Sequence, residues 1–168
     1  MISKISGTIL SGGAGRRFNG RSKAKIVIDG ETIISRMIST IRDLFDEIII
    51  VTNTPGEFEE LNNYKIVSDQ FLNVGPLGGI HAALKASSND AIFVFAGDMP
   101  LLDKRLITRQ IDFYFSNKCD VLIPRIEVLI EPLHSIYSVS VIKSLEEYLS
   151  GDHDYPVREF IKMLDVRY

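Results

Sequence analysis

Apolar positions along the chain follow two rhythms. Ile5–Leu10, Glu47–Thr52 and Ala91–Ala96 are short apolar or β-branched runs and read as buried strands. Ala91–Ala96 is apolar on every side, which predicts a central strand covered on both faces. Between such runs the apolar positions step by three and four. Ile33, Ile34, Met37, Ile38, Ile41, Leu44 and Phe45 predict one amphipathic helix, and Gly75-Pro76-Leu77-Gly78-Gly79 introduces a small-residue helix through Ala86. Leu106, Ile107, Ile111, Tyr114 and Phe115 place a helix over 103–115. Val141, Ile142, Leu145, Tyr148 and Leu149 make another, ended by Gly151, and Pro156 opens a last one with Val157, Phe160, Ile161 and Leu164 along one side. Shorter strands are expected at 26–28, 65–68, 120–123 and 136–138, and a short helix at 56–62. Strands alternate with helices almost throughout. The expected fold is α/β, a three-layer α/β/α sandwich on a mostly parallel, Rossmann-like sheet. Ligands of such sheets bind beyond the carboxyl ends of the strands.

Composition narrows the class. With 168 residues, 45% of them hydrophobic and 24% charged, the chain suits a single domain over 1–168 and has too much apolar material for a disordered one. Its longest apolar run, Ala91–Ala96, is far short of a membrane span, and no secretory leader is expected. Cys119 is the only cysteine, which excludes an internal disulfide and multi-cysteine metal sites. A cytoplasmic protein without membrane contact is expected. The net charge of −3 argues against nonspecific nucleic-acid binding.

The distribution of charge says more. Residues 1–28 carry six cations (Lys4, Arg16, Arg17, Arg21, Lys23 and Lys25) and no carboxylate, leaving 13 cations against 22 carboxylates in the remaining 140 residues. Five of the six fall between positions 16 and 25, among Gly12, Gly13, Gly15 and Gly20. A cationic, glycine-rich loop after a strand suits a compact polyanion, because glycine lets backbone N–H groups approach phosphate oxygens. The loop is neither of two familiar phosphate motifs. Phe18 occupies the third glycine position of a dinucleotide fingerprint. Gly15–Ser22 has Arg21 in place of the P-loop lysine and is followed by an extended segment where a helix is required.

Three glycine-containing loops, 11–25, 69–79 and 97–102, follow strands and should share one edge of the sheet. Arg17 and Lys23 would surround a triphosphate with positive charge or form surface ion pairs, the latter being the expected role of Arg16 and Arg21. Asp98, after Gly97 and before Met99-Pro100, would hold Mg²⁺ against phosphate oxygens or cap the following helix. Asn53 and Asp69 would hydrogen-bond a base or ribose, or close turns. His81, His134 and His153 lack metal-ligand spacing.

Leu10-Ser11-Gly12-Gly13-Ala14-Gly15-Arg16-Arg17-Phe18, followed by Lys23, resembles the signature of MobA-like nucleotidyltransferases, L-A-G-G-x-x-x-R-M-G and then a lysine. Gly75-Pro76-Leu77-Gly78-Gly79 resembles their G-P-L-A-G loop, Gly97-Asp98-Met99-Pro100 their metal loop, and Glu131-Pro132-Leu133 their later region. The similarity runs over roughly 5–150 and is strongest to the molybdenum cofactor guanylyltransferase branch. It implies the nucleotide-diphospho-sugar transferase type of fold and transfer of GMP from GTP to molybdopterin with release of pyrophosphate. Carried over, Leu10, Ser11, Gly12, Gly13, Asn53, Asp69 and Gly78 contact the nucleotide, Arg17 and Lys23 act on its phosphates, and Asp98 binds Mg²⁺. Contacts with other molybdenum cofactor proteins are a further expectation. Phe18-Asn19 replaces the usual Met-Gly, Ser22 stands where an aspartate often precedes the lysine, and Lys25 is an added cation. The family's N-x-N-T-P-like segment has no counterpart in these residues. Two alternatives accompany this reading: use of CTP or of another phosphorylated acceptor, and a non-catalytic nucleotide- or cofactor-binding accessory protein.

Overall fold

The computed structural model describes residues 4–12, 22–151 and 154–168. Strand β1 (Ile5–Leu10) is followed by a 3-10 turn at Lys23–Lys25, then β2 (Val27–Ile28) and β3 (Glu31–Thr32). Helix α1 (Ile33–Ile41), β4 (Ile48–Val51), a 3-10 segment (Pro55–Leu61), β5 (Lys65–Val67), α2 (Pro76–Ala86) and β6 (Ala91–Ala96) come next. The rest is α3 (Lys104–Ser116), β7 (Val121–Leu122), β8 (Arg125–Ile126), β9 (Leu129–Ile130), β10 (His134–Ser138), α4 (Ile142–Leu149), α5 (Val157–Ile161) and β11 (Val166–Arg167).

Seven strands form the central sheet in the order β11-β7-β10-β6-β1-β4-β5. β1 pairs in parallel with β4 and β6, β4 with β5, and β7 with β11, whereas β10 runs antiparallel to both β6 and β7. The sheet is therefore mostly parallel with one reversed strand. Alternate residues serve opposite layers, as strand geometry requires. Ile5, Ile9, Ile48, Ile50, Phe93 and Phe95 pack with α1 and α3 on one face. Ile49, Val51, Ile92 and Val94 pack with α2, α4 and α5 on the other. Both cores are closed by apolar stripes such as Ile34, Met37 and Ile41 of α1 and Leu145 and Leu149 of α4. The three-layer α/β/α expectation holds, and no helix among the described residues is long and apolar enough to cross a membrane.

Several boundaries differ from expectation for physical reasons. Ile26–Ile28 does not join the sheet; β2 and β3 form a separate ribbon across Asp29 and Gly30, whose positive φ values of 52° and 83° suit a tight hairpin turn. Helix α1 stops at Ile41, short of Leu44 and Phe45. Phe45 instead turns onto the sheet, edge-on to Phe93 and Phe95, and its ring occupies the space a Cβ on Gly7 would need, with Cδ2 only 2.8 Å away. A strand glycine marks such a close approach. The last helix ends at Ile161, before Leu164. The β8–β9 ribbon and β11 have no counterpart among the expected elements.

Candidate active site

The order of the strands sets where a ligand can sit. The chain builds outward from β1 through β4 to β5, then crosses back by α2 to place β6 on β1's other side. The crevice at that reversal, beyond the carboxyl ends of β1 and β6, is where open α/β sheets bind ligands. Register sharpens the point. Leu10 pairs with both Val51 and Ala96, and Val51 pairs with Val67. Asp98, Gly12, Asn53 and Asp69 are each two residues past these aligned ends, so they form a row across four adjacent strands. Three strand spacings make that row about 14 Å long, comparable to an extended nucleoside triphosphate.

Backbone hydrogen bonds knit the loops together at their roots. Gly97 N donates to Leu10 O at 2.9 Å, Ser11 N to Val51 O at 2.8 Å, and Thr52 N to Val67 O at 2.9 Å. Gly97 has to be glycine, since a Cβ there would lie 2.7 Å from the Leu10 carbonyl oxygen. Ser22 ties the next segment to the same root. Its hydroxyl donates to Ser11 O at 3.1 Å and accepts from Ala24 N, and its own N–H donates to Glu57. That capping action presents Lys23 at the start of a 3-10 turn.

At one end of the row Lys23 Nζ lies 3.0 Å from Asp98 Oδ2. Both side chains are about half exposed, so the pair is worth only about 0–1 kcal/mol and can exchange for other partners. Asp98 is not the cap of α3. Asp103 takes that role, accepting from the N–H groups of Arg105 and Leu106. Lys25 is engaged elsewhere, on the Glu60 carboxylate and over the Phe58 ring.

At the other end Asn53 and Asp69 hold each other reciprocally. Asn53 Nδ2 donates to Asp69 Oδ2 and Asp69 N donates to Asn53 Oδ1, both at 3.0 Å. Burial pushes the Asp69 carboxyl above its usual range, and the Asn53 hydrogen bond opposes the shift. The first turn of α2 closes over this pair. Cβ atoms at Gly78 and Gly79 would lie 3.4 and 3.6 Å from the Asp69 carboxylate, and a Cβ at Gly12 would stand 4.0 Å from Asn53 Nδ2. Gly79 also faces Leu10, with a Cβ there 3.1 Å from the leucine Cδ2.

Residues 7–167 match the family model of the MobA-like NTP transferase domain. The chain belongs to that family. As a MobA-like transferase it is a nucleotidyltransferase, and its relatives carry more specific names. It is 37% identical over 152 residues to the probable molybdenum cofactor guanylyltransferase of Natranaerobius thermophilus, covering 89% of this chain and 74% of that one. It is 34% identical over 148 residues to the molybdenum cofactor guanylyltransferase of Desulfosudis oleivorans, covering 88% and 72%. The crystal structure of molybdopterin-guanine dinucleotide biosynthesis protein A from Archaeoglobus fulgidus superposes with a TM-score of 0.81 at 26% identity, over 98% of this chain and 82% of that one.

In this MobA-like chain the predicted residues Leu10, Ser11, Gly12, Lys23, Asn53, Asp69, Gly78 and Asp98 gather at one edge of the sheet. Gly13 and Arg17 lie outside the described residues, as does His153. His81 and His134 stand apart, His134 between Gln110 and the Phe93 and Phe95 rings, where burial lowers its pKa. Ser22, Gly79 and Gly97 carry no site role of their own in the sequence pattern, yet all three shape the site. A serine before Lys23-Ala24-Lys25 is a capping signal, but the two glycines are required by neighbours distant in sequence.

Proposed function

We propose that this transferase moves GMP from GTP to the phosphate of molybdopterin and releases pyrophosphate, with Mg²⁺ held at Asp98. The observation that carries the reading is the row Asp98, Gly12, Asn53, Asp69, with a cationic side chain at one end and a hydrogen-bonded polar pair, an exposed Asn53 on a partly buried Asp69, at the other. The names of the relatives support molybdopterin as the acceptor. Phosphates lie at the Lys23 and Asp98 end, over the amides after β1, and the base lies at the Asn53 and Asp69 end. Arg17 joins Lys23 on the phosphates.

The donor set suits magnesium. The described residues include no group of three or more His, Cys, Asp or Glu side chains able to enclose a metal. Mg²⁺ is commonly held by one or two carboxylates together with substrate phosphates and water. When bound, the cation neutralises charge on the reacting phosphates. The chain's residues do the rest by positioning. An acceptor phosphate oxygen attacks the α-phosphorus in line, forming one P–O bond as the bond to the α–β bridging oxygen breaks, and the electron pair leaves with pyrophosphate. The attacking oxygen is already anionic, so no general base is required. Lys23, released from Asp98, offsets charge accumulating on the phosphates.

Guanine suits the base end. Its edge offers two adjacent donors, N1–H and an exocyclic N–H, to an ionised Asp69 carboxylate, whereas cytosine offers its amino donor beside an acceptor. Incubation with labelled GTP or CTP, Mg²⁺ and molybdopterin tests the reading. Pyrophosphate release with GTP alone is expected; equal turnover with CTP overturns the base assignment, and GTP binding without turnover favours an accessory role.

A pH dependence follows from Asp69. Its raised pKa means protonation begins at higher pH than for an ordinary aspartate near 3.8. GTP affinity should therefore weaken as pH falls through that raised value, and the Asp69→Asn variant should lack this component. Titrating GTP binding to both proteins between pH 7 and 4 checks it; parallel curves would remove Asp69 from the base site.

A further inference from the structure

Glu146 lies on α4, beside α2, outside the loops that form the strand-end row. Its Oε1 is 3.0 Å from His81 Nε2, and Lys85 Nζ lies 3.4 Å from the same oxygen. His81 is only 1% exposed, and its Nδ1 is buried without a hydrogen-bond partner among the described residues. A buried imidazole with one unsatisfied nitrogen is a costly way to fill space. An apolar side chain would brace α2 against α4 without that cost.

The ring's other contact gives it a purpose. It stands perpendicular to Phe71, with centroids 4.9 Å apart. The Phe71 carbonyl oxygen is the atom a Cβ on Gly78 would meet at 2.6 Å, and the Asp69 carboxylate lies against Gly78 and Gly79. The connection from Asp69 to α2 is sharply turned, with φ of 63° at Asn73 and 64° at Gly75. It is thus laid along α2, its Phe71 carbonyl against Gly78 in the first turn and its Phe71 ring against His81 one turn further on.

We propose that Glu146 and His81 are positioning residues for the nucleotide pocket. The hydrogen bond from α4 fixes the imidazole, the imidazole fixes Phe71, and Phe71 sets how closely the Asp69 turn sits against Gly78 and Gly79. The consequence for nucleotide rests on the assignment of Asp69 to the base; the clamp itself does not.

The test uses Glu146→Ala and Glu146→Gln in the full chain, since Glu146 is partly exposed and is not itself a core residue. Glu146→Ala should raise the GTP Kd and KM about fivefold, the worth of one net hydrogen bond, with kcat within about twofold. It should also speed amide exchange over residues 70–75. Glu146→Gln keeps an acceptor oxygen and should recover most of both effects. A lowered melting temperature with unchanged GTP affinity and unchanged exchange would reduce the pair to a helix brace and overturn the proposal. Faster exchange in a protein that fails to bind GTP even as wild type would uphold the clamp and refute the nucleotide reading.

Discussion

Replacing Asp98 with asparagine is expected to slow turnover at least about a hundredfold, because one lost transition-state contact of this kind is worth about 3 kcal/mol. The substitution keeps size and shape and removes only the charge proposed to bind the cation. It spares the fold, since Asp98 is half exposed and α3 is capped by Asp103. The ion pair with Lys23 is also lost, but an exposed pair contributes too little to stability to confuse the result. The clean measurement is pyrophosphate release under saturating GTP and acceptor, beside a urea unfolding curve. The expected pattern is a collapse in kcat with an unchanged midpoint. Near-normal turnover would remove Asp98 from the metal site, whereas a shifted midpoint would point to a structural role that the geometry does not suggest.

The sequence made the layers legible because burial on both faces leaves strong local patterns. Glu47–Thr52 and Ala91–Ala96 could be read as strands without knowing their neighbours. The missed elements lack such patterns. Arg125–Ile126 and Leu129–Ile130 form pairs of two residues, joined through Glu127, a non-glycine residue at φ 54°, where no turn signal warns of a hairpin. Val166–Arg167 is a strand only because β7 lies beside it. Helix α1 keeps its apolar step through Phe45, yet tertiary packing drew that ring down against Gly7. The site divides along the same line. Its loops could be picked out by their glycines and charges, and strand polarity placed them on one edge. The pairings within it, Lys23 with Asp98 and Asn53 with Asp69, depend on strand order and register, which no local pattern encodes.

The opposite edge of the sheet should govern acid stability. Glu47 precedes β4 and gathers the starts of the neighbouring strands. It accepts from Ser6 Oγ at 2.5 Å, Lys65 Nζ at 2.7 Å, Ser88 N at 2.9 Å and Ser88 Oγ at 3.0 Å. Burial alone would push its carboxyl up, but hydrogen bonds from Lys65, Ser6 and Ser88 together bring it from 4.5 down to about 2. A carboxylate depressed in the folded state contributes stability above its unfolded value and loses it as protons bind. The contribution should be complete above pH 4.5 and fade towards pH 2, and a shift of this size corresponds to about 3 kcal/mol. Glu47→Gln should accordingly be less stable than wild type by about that amount at pH 7, with the gap closing as pH falls to about 2. Urea unfolding at several pH values measures it, and a gap constant with pH would mean that shape rather than charge holds the strand starts together. GTP affinity at neutral pH should be unaltered, because the proposed nucleotide row lies at the other ends of the same strands.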